Sequence, residues 1–322
     1  MKRTALLVFL AAAFAAAALP ARAQRGDERK KVGLGPGASL GGARPFPADN
    51  PWNQEVSRLP IDPNSDALIE SIGADRPLHP DFGTVWEGAP NGIPYVVVRG
   101  NQPRVPVSFE YADESDPGPY PVPPDAPIEG GPDSDGDRHV LVIDRDAWKL
   151  YELFDAHPEE GGKRWRAGSG AVFDLSSNDL RPAGWTSADA AGLPIFPGLV
   201  RYDEAALAKA IRHALRFTAR RTRRAYVSPA RHFASDLEDA NLPPMGMRVR
   251  LKAGFDVSGF PPAAKVILEA LQRYGMIVAD NGGDWFLSGA PDSRWNDDDL
   301  HALQQVKGKD FEVVQMGEVV SR

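Results

Sequence analysis

The stretch RHVLVIDRDAWKLYELFD, from Arg138 to Asp155, decides the fold of this chain. Two runs rich in β-branched and aromatic residues flank a short polar segment, which is the pattern of a β-hairpin. With the turn centred on Asp146-Ala147, residues at equal distances from the turn face each other. Leu141 then faces Glu152, and His139 lies diagonally on the same face.

Glu152 shares its strand face with the apolar neighbours Leu150 and Phe154. A carboxyl group on such a face has a raised pKa, which suits a general acid. His139 is the predicted partner of Glu152 in acid-base chemistry. The alternative is that this face is half wet and that Glu152 is an ordinary carboxylate.

Strands and helices are mixed along the rest of the chain. Further strands are predicted in GIPYVVVRG (92–100), VPVSFEYA (105–112), GSGAVFDL (168–175) and DFEVVQM (310–316), with a hairpin formed by MIVAD (276–280) and WFLSG (285–289). Apolar periodicity predicts helices in DEAALAKAIRHALRFT (203–218) and PPAAKVILEALQRYG (261–275), and a short one in NDDDLHALQQVKG (296–308). The pattern therefore favours an α+β fold with mainly antiparallel sheet and three short to medium helices, concentrated in the C-terminal half.

The helix predicted in residues 203–218 depends on one apolar stripe. Leu207, Ile211, Ala214 and Leu215 recur at helical spacing. Arg212 and Arg216 would lie on the opposite face of this helix.

An acidic, proline-rich segment separates the early strands from the hairpin. Between Asp113 and Asp137 it has eight acidic residues and no basic one. Its prolines exclude a helix or a central strand, so it is expected to be a long loop. Asp133, Asp135 and Asp137 alternate in a way that suits calcium, with an exposed acidic turn as the alternative.

The N-terminus predicts an exported protein. Residues 1–23 combine Lys2 and Arg3, an apolar run and a small-residue cleavage motif, which is typical of a signal peptide. The mature chain is expected to be secreted or periplasmic, and no other apolar run is long enough to span a bilayer. We expect a flexible tail over residues 24–44, one globular domain over 45–316 with an alternative sub-domain split near 200, and a second tail over 317–322.

Composition narrows the chemistry of a site. The chain has no cysteine, which excludes disulfides, thiolate ligands and a cysteine nucleophile. Its net charge is −7, which disfavours a general nucleic-acid binder. Basic residues concentrate between Arg201 and His232, where an anionic partner or a solvated basic face are the two interpretations.

Irregular segments supply the remaining candidate residues. Arg231 and His232 follow a short predicted strand and suit anion binding and proton transfer. We place them with Glu152, His139 and Asp189 in a candidate catalytic set. The candidate substrate-binding residues, chosen for aromatic or polar side chains near these loops, are Trp185, Arg181, Tyr226, His213, Asp280 and Asn281.

Several blocks of the chain resemble a family of secreted bacterial proteins whose activity is not established. The blocks are LHPDFG, GDRHVLVIDRD, LRPAGWTSADAAGLPI and PARH, and the resemblance runs from about Pro45 to Val314. It implies an exported, single-unit protein and assigns no reaction or functional residue.

The residues therefore support three hypotheses. The first is a polysaccharide-active enzyme, a glycoside hydrolase or lyase, on a carbohydrate or other anionic polymer such as an acidic glycan. The second is a non-catalytic carbohydrate-binding or envelope-associated module, and the third a secreted phosphodiesterase. No cofactor is implied apart from the calcium considered above.

Overall fold

A computed structural model describes residues 31–321, so the predicted signal peptide lies outside the described residues. The described α-helices are α1 (Ser65–Ile72), α2 (Pro262–Arg273) and α3 (Asp297–His301). The described strands are β1 (Gly35–Pro36), β2 (His79–Asp81), β3 (Val85–Trp86), β4 (Ala89–Pro90), β5 (Tyr95–Val98), β6 (Val107–Phe109), β7 (Val140–Asp144), β8 (Lys149–Phe154), β9 (His157–Glu159), β10 (Arg164–Ala167), β11 (Ser169–Asp174), β12 (Leu215–Ala219), β13 (Tyr226–Val227), β14 (Arg248–Leu251), β15 (Met276–Asn281), β16 (Phe286–Ser288), β17 (Phe311–Val313) and β18 (Val319–Val320).

Two large sheets organise the molecule. The first has the strand order β1-β5-β7-β8-β11, and the second has the order β17-β14-β15-β12-β16-β2. A third sheet, β6-β10-β9, and the two ribbons β13-β18 and β3-β4 complete the topology. Most strand pairs are antiparallel and a few, such as β5 with β7, are parallel, which confirms the predicted α+β class.

The hairpin of β7 and β8 has the predicted register. Leu141 is opposite Glu152 and Ile143 is opposite Leu150. Leu141 and Ile143 belong to a large core that the first sheet shares with the second. Val140 and Val142 point the other way, into a smaller core that includes Trp165 of the third sheet. The hairpin is therefore covered on both faces, and a side chain placed on either face, such as Glu152, is removed from water.

The helix predicted from residues 203–218 is wrong. Only Asp203–Ala208 is helical, as one π-helical stretch that ends at Lys209 in the left-handed conformation, and Leu215–Ala219 is the strand β12. Leu207 is 60% exposed instead of forming part of an apolar stripe. Pairing of β12 with two neighbouring strands inside the second sheet outweighs the local helical preference of the alanine-rich sequence.

The hairpin predicted from MIVAD and WFLSG is also wrong. Both segments are strands, β15 and β16, but β12 lies between them and pairs with each. The helix in PPAAKVILEALQRYG and its stop at Gly275, whose φ is 68°, are confirmed as α2. The sequence prediction missed α1, which lies in the N-terminal half.

Both predicted tails are partly ordered. Val32 and Leu40 are buried, and β1 pairs with β5, so the flexible-tail prediction is wrong for residues 32–44. Near the C-terminus, β18 pairs with β13. Among residues 31–321, no helix is long and apolar enough to cross a bilayer.

Leu215 is buried and Leu207 is exposed, so substitutions of these two residues test whether residues 215–219 form a strand instead of the predicted helix. Leu215→Ala is expected to lower the free energy of unfolding by about 2–5 kcal/mol, because it leaves a cavity under β12. Leu207→Ala is the matched control and is expected to change it by less than about 0.5 kcal/mol. Urea unfolding followed by tryptophan fluorescence gives both values, and equal losses would contradict the assignment of β12.

Candidate functional site

Glu152 lies on the core face of β8 and is fully buried. Its carboxylate accepts hydrogen bonds from the backbone N–H groups of Ile195 and Phe196, at 2.9–3.0 Å. Burial raises the pKa of Glu152 to about 7, although these N–H groups oppose the shift. Since its oxygens face the protein backbone, Glu152 holds the segment around Ile195 against the hairpin and does not reach a substrate.

His139, just before β7, is buried beside Glu152, and both of its ring nitrogens have hydrogen-bond partners. Its Nδ1 lies 2.6 Å from Oε2 of Glu129, and its Nε2 lies 2.9 Å from the carbonyl oxygen of Ala188. Both ring nitrogens face acceptors, so both carry a proton. Burial alone would lower the pKa of His139, but Glu129 outweighs it and raises the pKa to about 9. The ring is therefore an imidazolium at neutral pH, and it fastens the proline-rich loop to Ala188.

Asp189 forms a buried ion pair with Arg216, which β12 carries into the core. Nε and Nη2 of Arg216 donate to the two carboxylate oxygens of Asp189, both at 2.8 Å. Nη1 of Arg216 donates to Oγ of Ser288 on β16, at 2.6 Å. A fork of this kind fixes the orientation of the Asp189 carboxylate.

Asp280, near the end of β15, is the partly exposed member of the cluster. Its Oδ2 lies 3.5 Å from Nη2 of Arg216. Burial raises the pKa of Asp280 to about 8, and the charge of neighbouring Asp189 adds to this shift while Arg216 opposes it. Asp280 therefore carries a proton at neutral pH.

Asp280 and Asp189 both line a pocket of about 210 Å³. The other lining residues supply hydroxyl, amide, carboxylate and aromatic groups, and they are Tyr111, Asp137, Phe154, Ser169, Thr186, Ser187, Ala188, Ala190 and Asn281. This lining contains three carboxyl groups, of which that of Asp280 has a raised pKa, and no cationic side chain. Such a pocket can donate a proton and hydrogen-bond a polar ligand.

The structure brings together part of the predicted catalytic set. Glu152, His139 and Asp189 lie in one connected network, in which the charges of His139 and Asp189 act on Glu152. Arg231 and His232 do not face the hairpin. Nε of Arg231 donates to the carbonyl oxygen of Arg181, and Nδ1 of His232 lies 2.8 Å from that of Ala190. Both side chains therefore contact backbone oxygens of the loop that carries Asp189 and help to hold that loop in place.

The predicted substrate-binding residues have mixed locations. Asp280 and Asn281 line the pocket. Arg181 is buried and clamps the proline-rich loop, because it donates to Asp116 and to the carbonyl oxygens of Glu114 and Thr186.

Trp185, Tyr226 and His213 have packing or pairing roles. Trp185 is half-buried beside the guanidinium of Arg181. Tyr226 is buried in β13, and His213 pairs with Glu204.

Sequence reasoning did not select Arg216 and Glu129. Arg216 was not selected because the wrong helix prediction placed it on the face opposite the apolar stripe. The alternation in LRFTA, read as a strand, was the available signal for an inward-facing arginine there.

Asp137 enters the site in a role other than the one expected. It lines the pocket, whereas it was selected with Asp133 and Asp135 for calcium. Within residues 31–321, no group of three or more His, Asp or Glu side chains is arranged to hold a metal ion.

Comparison of the chain with protein-family models, with curated proteins and with solved structures found no match. The candidate site must therefore be interpreted from its own chemistry.

The buried titratable groups predict a stability that falls as pH rises above about 5. The folded-state pKa of Glu152 (about 7), Asp280 (about 8) and His139 (about 9) all lie above their ordinary values, so the folded protein holds protons that the unfolded chain releases. For Glu152 alone, this costs about 3 kcal/mol between pH 4.5 and pH 7.

Glu152→Gln tests the contribution of one fully buried carboxyl group to this effect. The variant is expected to lose less stability than the original protein between pH 5 and pH 8, as measured by urea unfolding across that range. The exposed Glu70→Gln is the matched control and should follow the original curve. If the free energy of unfolding of Glu152→Gln falls with pH as steeply as that of the original protein, the pKa of Glu152 is not raised as stated above.

Proposed function

We propose that this protein is an exported polysaccharide-active enzyme, a glycoside hydrolase that uses Asp280 as its general acid. The supporting observation is the pair of carboxyl groups on the pocket wall. Arg216 binds both oxygens of Asp189, while burial and the charge of Asp189 raise the pKa of Asp280. A carboxyl group that its environment keeps protonated near neutral pH is the usual general acid in the hydrolysis of glycosides.

Asp280 would donate its proton to the glycosidic oxygen as the bond from the anomeric carbon to that oxygen breaks. Asp137 is the exposed carboxylate on the same pocket and is the candidate base, which would take a proton from the attacking water. Asp189 is a positioning residue in this scheme, because its oxygens are occupied by Arg216. The hydroxyl group of Thr186, also on the pocket lining, makes only long contacts of 3.3–3.4 Å inside the protein and would hold the sugar.

The pocket favours hydrolysis over the other two reactions considered. A lyase needs a cation against the carboxylate of the cleaved uronate residue, and a phosphodiesterase needs cationic groups for its phosphate. The pocket lining has neither Lys, Arg nor His. Proton donation by Asp280 to a neutral sugar needs no such cation.

Binding without catalysis is the second candidate function, and a separate surface favours it. Trp86 on the β3-β4 ribbon is 69% exposed. Beside it, Val85, Pro90 and Pro94 line a groove of about 440 Å³. An exposed indole next to an apolar groove suits stacking on sugar rings.

Asp280→Asn is expected to lower kcat by about 10²–10⁴, because the amide cannot donate the proton. The measurement is the release of reducing ends from a panel of neutral and anionic glycans. With the original protein, activity should fall as pH rises through about 8, where Asp280 loses its proton.

The exposed Asp236→Asn is the control for this experiment and should keep full activity. Glycan binding without any cleavage, together with loss of binding in Trp86→Ala, would replace the hydrolase proposal with the binding module. If Asp280→Asn cleaves glycans at the original rate, Asp280 is not the general acid.

A further inference from the structure

The turn after β12 concentrates positive charge in an otherwise acidic protein. Within the five residues Arg220–Arg224 there are four arginines, while the whole chain has a net charge of −7. Arg220, Arg221 and Arg224 are exposed. We call Arg220, Arg221, Arg223 and Arg224 the arginine turn.

The guanidinium groups of the arginine turn are almost free of internal partners. Among the described residues, the only carboxylate within ion-pair distance of the turn is Glu238, which lies 3.9 Å from Arg224 and is itself 83% exposed. An exposed pair at this distance contributes little. Arg223 and Arg224 also line a concavity of about 240 Å³ together with Glu238 and Ser321. This arrangement leaves positive charge available to an external anion.

The arginine turn lies at the same sheet edge as the pocket. In the parallel pair of β12 and β15, Thr218 is opposite Asp280 and Ala219 is opposite Asn281, so Arg220 directly follows these positions. Nδ2 of Asn281, which lines the pocket, donates to Oγ1 of the buried Thr222 at 2.9 Å. The backbone N–H of Arg220 donates to Asp284. The turn is thus fixed against the strand that carries Asp280.

We infer that the arginine turn binds carboxylate or sulfate groups of an acidic polysaccharide whose neighbouring uncharged sugar occupies the Asp280 pocket. This inference rests on the proposed hydrolase function. Asp137, the exposed carboxylate of the pocket, would repel an anionic group there, while the arginines attract one beside it. A glycan with alternating charged and neutral sugars can place a charged sugar at the arginine turn and a neutral sugar in the Asp280 pocket. A nucleic acid, with a phosphate at every residue, would place negative charge against the carboxylates.

The test uses the complete protein and four probes: a hyaluronan octasaccharide, in which charged and neutral sugars alternate, an alginate octasaccharide, in which every sugar is charged, a neutral cello-oligosaccharide, and a single-stranded DNA oligonucleotide. Binding to hyaluronan is expected to be tighter than to the other three. It should weaken at least tenfold in the variant Arg220→Ala/Arg221→Ala/Arg224→Ala, and also as salt is raised, because exposed charges are screened. The matched control, Arg58→Ala/Arg99→Ala/Arg212→Ala, removes three exposed arginines elsewhere and should bind like the original protein.

The outcomes separate this inference from the hydrolase proposal. Equal binding of hyaluronan by the original protein and the arginine-turn variant overturns the inference, even if Asp280→Asn abolishes cleavage of some glycan. Tighter binding of DNA or of alginate than of hyaluronan also overturns it. If the variant loses hyaluronan binding while the original protein cleaves no glycan, the arginine turn is supported and the hydrolase proposal fails. Where cleavage occurs, the variant should raise KM and leave kcat unchanged, since the turn does not touch the reacting bond.

Discussion

The buried pair of Arg216 and Asp189 is the interaction on which the site depends. Arg216 belongs to β12, at the centre of the second sheet, and Asp189 belongs to the loop that lies over the first sheet. Breaking a pair of this kind leaves an uncompensated charge in the core, which costs about 3–5 kcal/mol. The same loop is held to the first sheet by His139 at Ala188 and by Glu152 at Ile195. These three contacts, made by the buried side chains of Arg216, His139 and Glu152, therefore fix the position of the loop that forms the pocket wall.

This arrangement also explains why the pKa of Asp280 is raised. Asp189 has both oxygens on a guanidinium, whereas Asp280 receives only a distant contact from the same group. Removal from water penalises the charge of Asp280, and its carboxyl group lacks the two-pronged contact that Arg216 makes with Asp189. The charge of Asp189 then acts on Asp280 and keeps its proton in place. A single arginine thus produces a fixed anion and a proton donor side by side.

The parts of the fold that could be predicted were those with local determinants. The register of β7 and β8 follows from strict alternation and a short turn, so Leu141 and Glu152 were paired correctly. By contrast, β12 has a helical sequence pattern, and its strand conformation depends on partners that are distant in the chain. Asp189 and Asp280 were chosen individually, but their proximity could not be predicted because Arg216 was assigned to a helix. Arg231 and His232 were reactive residue types whose orientation is set by backbone contacts at Ala190 and Ala191.

The strand β12 connects the two electrostatic surfaces of the site. Arg216 lies near its start, beneath the pocket, and the arginine turn follows its end. A bulge between Phe217 and Thr218 shifts the register of β12 against β15 at the level of Asp280. Bulges commonly redirect side chains next to functional sites. The acidic pocket and the basic turn thus lie at the same end of one buried strand, and a ligand that spans both must be uncharged at the pocket and anionic at the turn.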